Sequence, residues 1–250
     1  MTIFSGESWL RRYHPAPDGA PLAVCFPHAG GGAAFYHPMS AALSDRVGVL
    51  CVQYPGRQDR LAEPPAAEVA TAAERVTEAL LPWRDSRLVL FGHSMGGIFA
   101  FETARCLARE GVALCALFVS AVSAPSRIRP AKGTLDDDEA LVAEARALSG
   151  QDGEIIADAE LLPFVLPALR ADYQTMAGYR YDPGAGPLSC PIVAVAGEGD
   201  TAAGVDDMRA WAAHTSVAFR LMTYAGGHFY LSRRWKSVAD VVASAFSLFP

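Results

Sequence analysis

The 250-residue sequence predicts an α/β fold in which helices wrap a mostly parallel sheet. Three observations carry that prediction. Apolar runs at residues 22–26, 47–54, 88–91, 113–120 and 191–196 read as strands buried on both faces. Most of them are separated by stretches with helical apolar spacing, and strands alternating with helices call for parallel crossovers. The run at 88–91 also passes straight into Gly92-His93-Ser94-Met95-Gly96 and then a helical pattern over 95–110, with Gly111 at the C-cap. G-x-S-x-G between a strand and a helix is a nucleophile elbow, a tight turn that lifts a serine above the sheet.

Taken in order, residues 8–14 read as a short first strand and Pro15-Ala16-Pro17-Asp18-Gly19 as a turn. Strand 22–26 runs into the glycine-rich loop Pro27-His28-Ala29-Gly30-Gly31-Gly32. A helix over 35–44, a strand over 47–54, a polar loop and a helix over 66–81 lead to the elbow. After strand 113–120 the next convincing strand is 191–196, so residues 121–190 far exceed the dozen or so that a parallel crossover needs. The excess reads as a helical lid inserted in a single domain spanning 1–250. It holds an amphipathic helix over 135–148, with Asp136, Asp137, Asp138 and Glu139 in its first turn, where the helix dipole favours acids. A second helix is predicted over 159–179, with Pro163 and Pro167 as breaks. Its stripe of Leu161, Leu162, Val165, Leu166, Leu169, Tyr173 and Met176 fits either core packing or an apolar wall for an acyl chain. A strand at 219–224 and a helix at 235–249 close the chain.

Hydrophobic residues make up 51% and charged residues 19%, which describes a globular chain. A net charge of −6 argues against wholesale nucleic-acid binding. Cys25, Cys51, Cys106, Cys115 and Cys190 form no C-x-x-C pair and lie in or beside apolar segments, the pattern of reduced thiols in a cytoplasmic protein. No signal-peptide pattern opens the chain and no apolar run is long enough to span a membrane.

A serine hydroxyl near neutral pH needs a base. In proteins with this elbow the triad runs serine, acid, histidine along the chain, so only His214 and His228 come late enough. His228 follows two glycines after the last strand; His214 is expected on a surface helix or its end. Asp200, directly after strand 191–196, is the acid of choice, with Glu198 as its local rival and Asp206 and Asp207 as helix caps. The N–H of Met95 sits at a helix N-terminus, and the loop after an early strand supplies the second oxyanion donor, best placed at Ala29. A phosphate loop is the other reading of Gly30-Gly31-Gly32, but the Walker lysine and serine are missing.

Five segments together resemble the type II thioesterases that accompany polyketide synthases and nonribosomal peptide synthetases, members of the α/β-hydrolase superfamily. They are Phe26-Pro27-His28-Ala29-Gly30-Gly31, Tyr54-Pro55-Gly56-Arg57-Gln58-Asp59-Arg60, Gly92-His93-Ser94-Met95-Gly96, Leu169-Arg170-Ala171-Asp172-Tyr173 and Gly226-Gly227-His228-Phe229. The resemblance implies a triad of Ser94, Asp200 and His228 with Met95 and Ala29 as oxyanion donors. It implies removal of stalled or misprimed acyl groups from the phosphopantetheine thiol of acyl or peptidyl carrier proteins, with no metal or bound cofactor. Thr201 stands where the family often has proline, and Leu148-Ser149-Gly150-Gln151-Asp152-Gly153 lacks its Gly-Gly-x-Pro. A hydrolase of free esters or acyl-CoA, or an acyltransferase or cyclase, would use the same triad. Phe164, Leu166 and Leu169 are the expected acyl-pocket residues. Arg127, Arg129 and Lys132, the densest cationic cluster, are the expected docking site for an acidic carrier protein, or else a solvated face.

Overall fold

The computed structural model describes residues 8–128, 137–149 and 162–249. Its centre is a seven-stranded sheet: β1 (Leu10–Arg11), β2 (Leu22–Phe26), β3 (Gly48–Val52), β4 (Leu88–His93), β5 (Leu114–Ser120), β6 (Ile192–Gly197) and β7 (Phe219–Tyr224). The strands lie in the order β1-β3-β2-β4-β5-β6-β7, and all pairings are parallel except the edge pair β1–β3. The expected first strand over 8–14 is cut to two residues on that edge, where Leu10 pairs with Val52 and Arg11 with Cys51.

Strands β2 to β6 are apolar because helices cover both faces. Alternate residues divide between two cores. Leu22, Val24, Phe26, Leu88 and Leu90 meet α2 (Val69–Leu80) and α3 (Met95–Arg109). Ala23, Cys25, Val89 and Phe91 meet α1 (His37–Leu43) and α7 (Trp235–Leu248). The expected helix over 35–44 divides at Tyr36, a 3₁₀ turn over Ala33–Tyr36 preceding α1. Gly111 ends α3 with φ +72°, the left-handed conformation that a C-cap glycine supplies.

Between β5 and β6 lie α4 (Asp138–Ser149) and α5 (Leu162–Gly178). Asp137 accepts hydrogen bonds from the N–H groups of Glu139 and Ala140, so it caps α4. Helix α5 runs through Pro167, and Pro163 is its second residue, where a missing N–H costs nothing. Neither proline is the break expected of it. A short α6 (Val205–Arg209) follows β6, with Asp206 and Asp207 in its first turn.

All five cysteines are free; four are buried and Cys115 is partly exposed. Burial raises the thiol of Cys25 well above its ordinary value and pushes those of Cys51 and Cys190 up to about 12. Among the described residues no helix is long and apolar enough to cross a membrane.

Candidate active site

Strand order decides which loops meet. The chain leaves β2 for β3 on one side and returns to β4 on the other, so the carboxyl ends of β2 and β4 flank a topological switch point. Phe26 is paired with Gly92 across that junction. The glycine-rich loop and the elbow therefore open side by side. Two glycines make the turn between them possible. A Cβ on Gly92 would overlap the backbone of Gly96, and one on Gly96 would overlap the carbonyl of Phe26.

Ser94 is held at φ +54° and ψ −129°, a conformation that costs a non-glycine residue roughly 1–3 kcal/mol. The surroundings hold it there. Its N–H donates to the Ser120 carbonyl at 2.7 Å. Behind it, His93 Nδ1 is hydrogen-bonded to Ser120 Oγ at 2.9 Å, and Ser120 Oγ to the Tyr230 hydroxyl at 2.7 Å. His93 thus points away from the nucleophile, as its place in the turn requires.

His228 Nε2 lies 2.9 Å from Ser94 Oγ, and His228 Nδ1 lies 2.9 Å from Asp200 Oδ2. With the proton on Nδ1, the imidazole donates to Asp200 and accepts from the serine hydroxyl. The other carboxylate oxygen of Asp200 accepts from the N–H groups of Ala202 and Ala203 at 2.8 and 3.2 Å. Asp200 and His228 are both buried, so this line is shielded from bulk water. The rivals do not join it. Glu198 is exposed and accepts from Thr223. His214 is not a surface residue: it is buried, bonded to Ser126 and packed among Phe101, Tyr181 and Trp211.

Two more imidazoles surround the line. His28 is buried against Phe35, Phe229 and His93. Burial, then the charges of His228 and Arg57, lowers its pKa to about 3. Burial first, then His228 and His28, takes His93 well below its ordinary value. Both stay neutral, so neither repels a positive charge forming on His228.

A cavity of about 490 Å³ opens over Ser94 and is lined by Ala29, Met95 and His228 as well. Met95 begins α3, so its N–H is one of those a helix leaves without an internal partner. Ala29 lies on the opposite side of the junction between β2 and β4. A serine at the start of α3, with its base and acid in line, is set up for attack on a carbonyl carbon. A larger cleft, about 590 Å³, lies between α2, α3 and the end of α5 and contains none of these residues.

The cavity walls differ from those expected. Phe164 is 62% exposed, and neither it, Leu166 nor Leu169 lines the cavity. Leu169 is buried against Val142 and Ala145 of α4 and against Gly30. The walls come instead from Val122, Ile128, Leu148, Tyr173 and Met176, with Glu144, Asp207 and Arg127 adding charge. Tyr173 and Met176 belong to the predicted stripe. Val122 and Ile128 follow β5, the neighbour of β4, a position that only the strand order makes visible. Burial and then the Glu144 carboxylate raise the Tyr173 phenol above its ordinary value. Arg127 is exposed, and Arg129 and Lys132 lie outside the described residues. Among the described residues no cluster of histidine, cysteine and acidic side chains is placed to hold a metal.

A family model described as a thioesterase domain matches residues 22–246. The chain belongs to the thioesterase family. It is 46% identical over 237 residues to the thioesterase PikA5 of Streptomyces venezuelae, covering 94% of this chain and 84% of that protein. The solved type II thioesterase BorB, from the borrelidin biosynthetic cluster, is also 46% identical; it matches with a TM-score of 0.90 over 95% of this chain and 97% of its own. RedJ, a thioesterase of the prodiginine pathway in Streptomyces coelicolor, is 32% identical, with a TM-score of 0.81 over 94% of each chain. For this thioesterase, then, the sheet and its flanking helices belong to a family architecture.

Proposed function

We propose that this thioesterase hydrolyses acyl groups from the phosphopantetheine thiol of acyl or peptidyl carrier proteins, clearing stalled or misprimed chains during polyketide or nonribosomal peptide assembly. One observation carries the chemistry: Ser94 Oγ, His228 and Asp200 lie in a hydrogen-bonded line at a cavity that Met95 and Ala29 also line. Similarity to the thioesterase PikA5, to a type II thioesterase of the borrelidin cluster and to a thioesterase of the prodiginine pathway supports the choice of substrate.

In this reading Ser94 Oγ attacks the thioester carbonyl while His228 Nε2 takes its proton. The tetrahedral oxyanion is held by the N–H groups of Met95 and Ala29. Its collapse breaks the C–S bond, and His228 returns the proton to the departing thiol. Water, deprotonated by His228, then attacks the acyl-serine ester. Collapse of the second intermediate releases the acid and restores the Ser94 hydroxyl. Asp200 keeps the imidazole in its working tautomer and stabilises the cation. Every proton and bond is accounted for with the serine, the histidine and water, so no metal or cofactor is called for. Helices α4 and α5, between β5 and β6, serve as a lid over the cavity, and the enzyme acts in the cytoplasm.

The test compares one acyl group on a carrier protein, on coenzyme A, on a short thiol and on an alcohol. The highest kcat/KM is expected on the carrier protein, with free acid as the product. Preference for the alcohol ester, or transfer to an acceptor other than water, would replace this reading with that of an esterase or an acyltransferase.

A further inference from the structure

Two of the segments that mark the resemblance, around Arg57 and around Asp172, have no part in the chemistry above. Both residues are buried, with side chains 4% and 6% exposed, and they form a bidentate pair: Arg57 Nη1 donates to Asp172 Oδ2 at 2.6 Å and Nη2 to Oδ1 at 2.7 Å. The same Asp172 Oδ2 accepts from the Gly30 N–H at 2.8 Å, and the same Arg57 Nη1 donates to the Gly31 carbonyl at 3.1 Å. One charged side chain from the loop after β3 and one from α5 thus hold one N–H and one carbonyl of the glycine-rich loop.

We propose that Arg57 and Asp172 are positioning residues that aim the Ala29 amide and lock α5 to the oxyanion loop. The proposal rests on Ala29 being an oxyanion donor. The Ala29–Gly30 peptide is planar, so fixing the Gly30 N–H fixes the carbonyl end of Ala29. Only the two soft dihedrals of Ala29 are then left to orient its own N–H. Packing restricts the loop further. A Cβ on Gly30 would lie 3.1 Å from Leu169 Cδ1 and 3.5 Å from Val165 Cγ1, and one on Gly31 would lie 2.7 Å from the His28 ring. Val165, Leu169 and Asp172 share one face of α5, while Tyr173 and Met176 reach the cavity. From the other side, Gln53 accepts from the Ala33 N–H at 2.8 Å and donates to the Arg57 carbonyl at 3.1 Å.

A buried ion pair is weak evidence of a stabilising role, because apolar replacements often do as well. Apolar side chains cannot supply direction, and the planar guanidinium fork does. If α5 moved away, the Gly30 N–H would lose its acceptor and Arg57 its counter-charge, so helix and loop are expected to move as one body.

Asp172→Asn, Asp172→Glu and Arg57→Lys test this through kcat and KM on a small acyl thioester, the rate of fluorophosphonate labelling, and Tm. Removing one oxyanion donor outright costs about 10²–10³ in kcat, so mis-aiming it is expected to lower kcat by about 10- to 100-fold. KM should stay within about 2-fold, and phosphonylation should slow in parallel with kcat. Asp172→Glu, which keeps the charge, should recover part of the loss. Labelling uses Ser94 and the loop without any acyl or carrier substrate, so its result stands whether or not the substrate assignment does. Variants that melt earlier yet turn over and label at wild-type rates would overturn the proposal. Should the Asp172 variants not fold, amide hydrogen exchange on the unaltered protein decides. Gly30 should be the slowest-exchanging amide of residues 28–32. Exchange at Gly30 as fast as at its neighbours would defeat the claim.

Discussion

Ser94, Gln58 and Ala121 are the non-glycine residues with positive φ among those described, at 54°, 50° and 52°. One is the proposed nucleophile, one adjoins Arg57 and one lines the cavity, so the strained backbone collects around the chemistry. The acid gives the sharpest test at this scale. Asp200→Asn should keep the fold but lower kcat by roughly 10²–10⁴, because the imidazole loses its orienting partner. Glu198→Gln, altering an exposed group, should stay near wild type in the same assay; a crippled Glu198→Gln would move the acid there. The buried His28 gives a pH test. Burial holds its folded pKa at about 3 against 6.5 in the unfolded chain, so between those values the unfolded state binds the extra proton. Its contribution is complete above about pH 6.5 and is lost as pH falls toward 3, by at most about 1.4 kcal/mol per pH unit. Melting curves at pH 7 and 4.5 should show a smaller drop for His28→Gln than for wild type. An unchanged drop would assign the acid sensitivity to other groups.

At the scale of elements, the buried strands were legible because a strand covered on both faces is apolar at every position; β7, an edge strand with exposed Arg220 and Thr223, still matches its predicted range of 219–224. The elbow was legible because its glycines are demanded by backbone contact. The helix over 162–178 was legible as a helix but not in its rotation. Its apolar stripe serves two neighbours, Val165 and Leu169 facing the loop and Tyr173 and Met176 facing the cavity, and periodicity alone does not divide them. The pairing of Arg57 with Asp172 was hidden for a different reason, since 115 positions separate them and only the fold joins them. Phe164→Ala is therefore expected to change kcat/KM by less than about 2-fold across an acyl series from acetyl to octanoyl. Met176→Ala, which removes part of the cavity wall, should redistribute that series by several-fold, since each buried methylene is worth about 0.8 kcal/mol. A uniform loss for Met176→Ala would make it a packing residue only. Leu169→Ala should destabilise by about 2–5 kcal/mol, read from denaturant unfolding, because it empties a packed site.

For the molecule as a whole, charge sets the terms of partner recognition. A chain of net charge −6 gains no long-range attraction to an acidic carrier protein, so any attraction must be local. Arg127 stands exposed on the cavity wall, where a carrier protein would deliver its arm. Arg127→Glu is expected to raise KM for an acyl-carrier substrate several-fold more than for a small thioester. Equal effects on both would take Arg127 out of docking. The strand order explains why so much of the site was visible in sequence. Loops following β2, β4, β6 and β7 all open at the carboxyl edge of one parallel sheet, so motifs scattered along the chain converge.

The buried cysteines gain a meaning from the reaction's product. Each turnover of a thioesterase liberates a thiol beside the protein, and thiols trade with any disulfide or oxidised sulfur they can reach. Thiolate is the reactive form, and burial keeps Cys25, Cys51 and Cys190 protonated. With no cystine to reduce and four of five sulfurs sheltered, the protein offers a released thiol no disulfide to attack. A chromogenic disulfide reagent should accordingly titrate one sulfur rapidly in the native protein, the partly exposed Cys115, and all five only after unfolding.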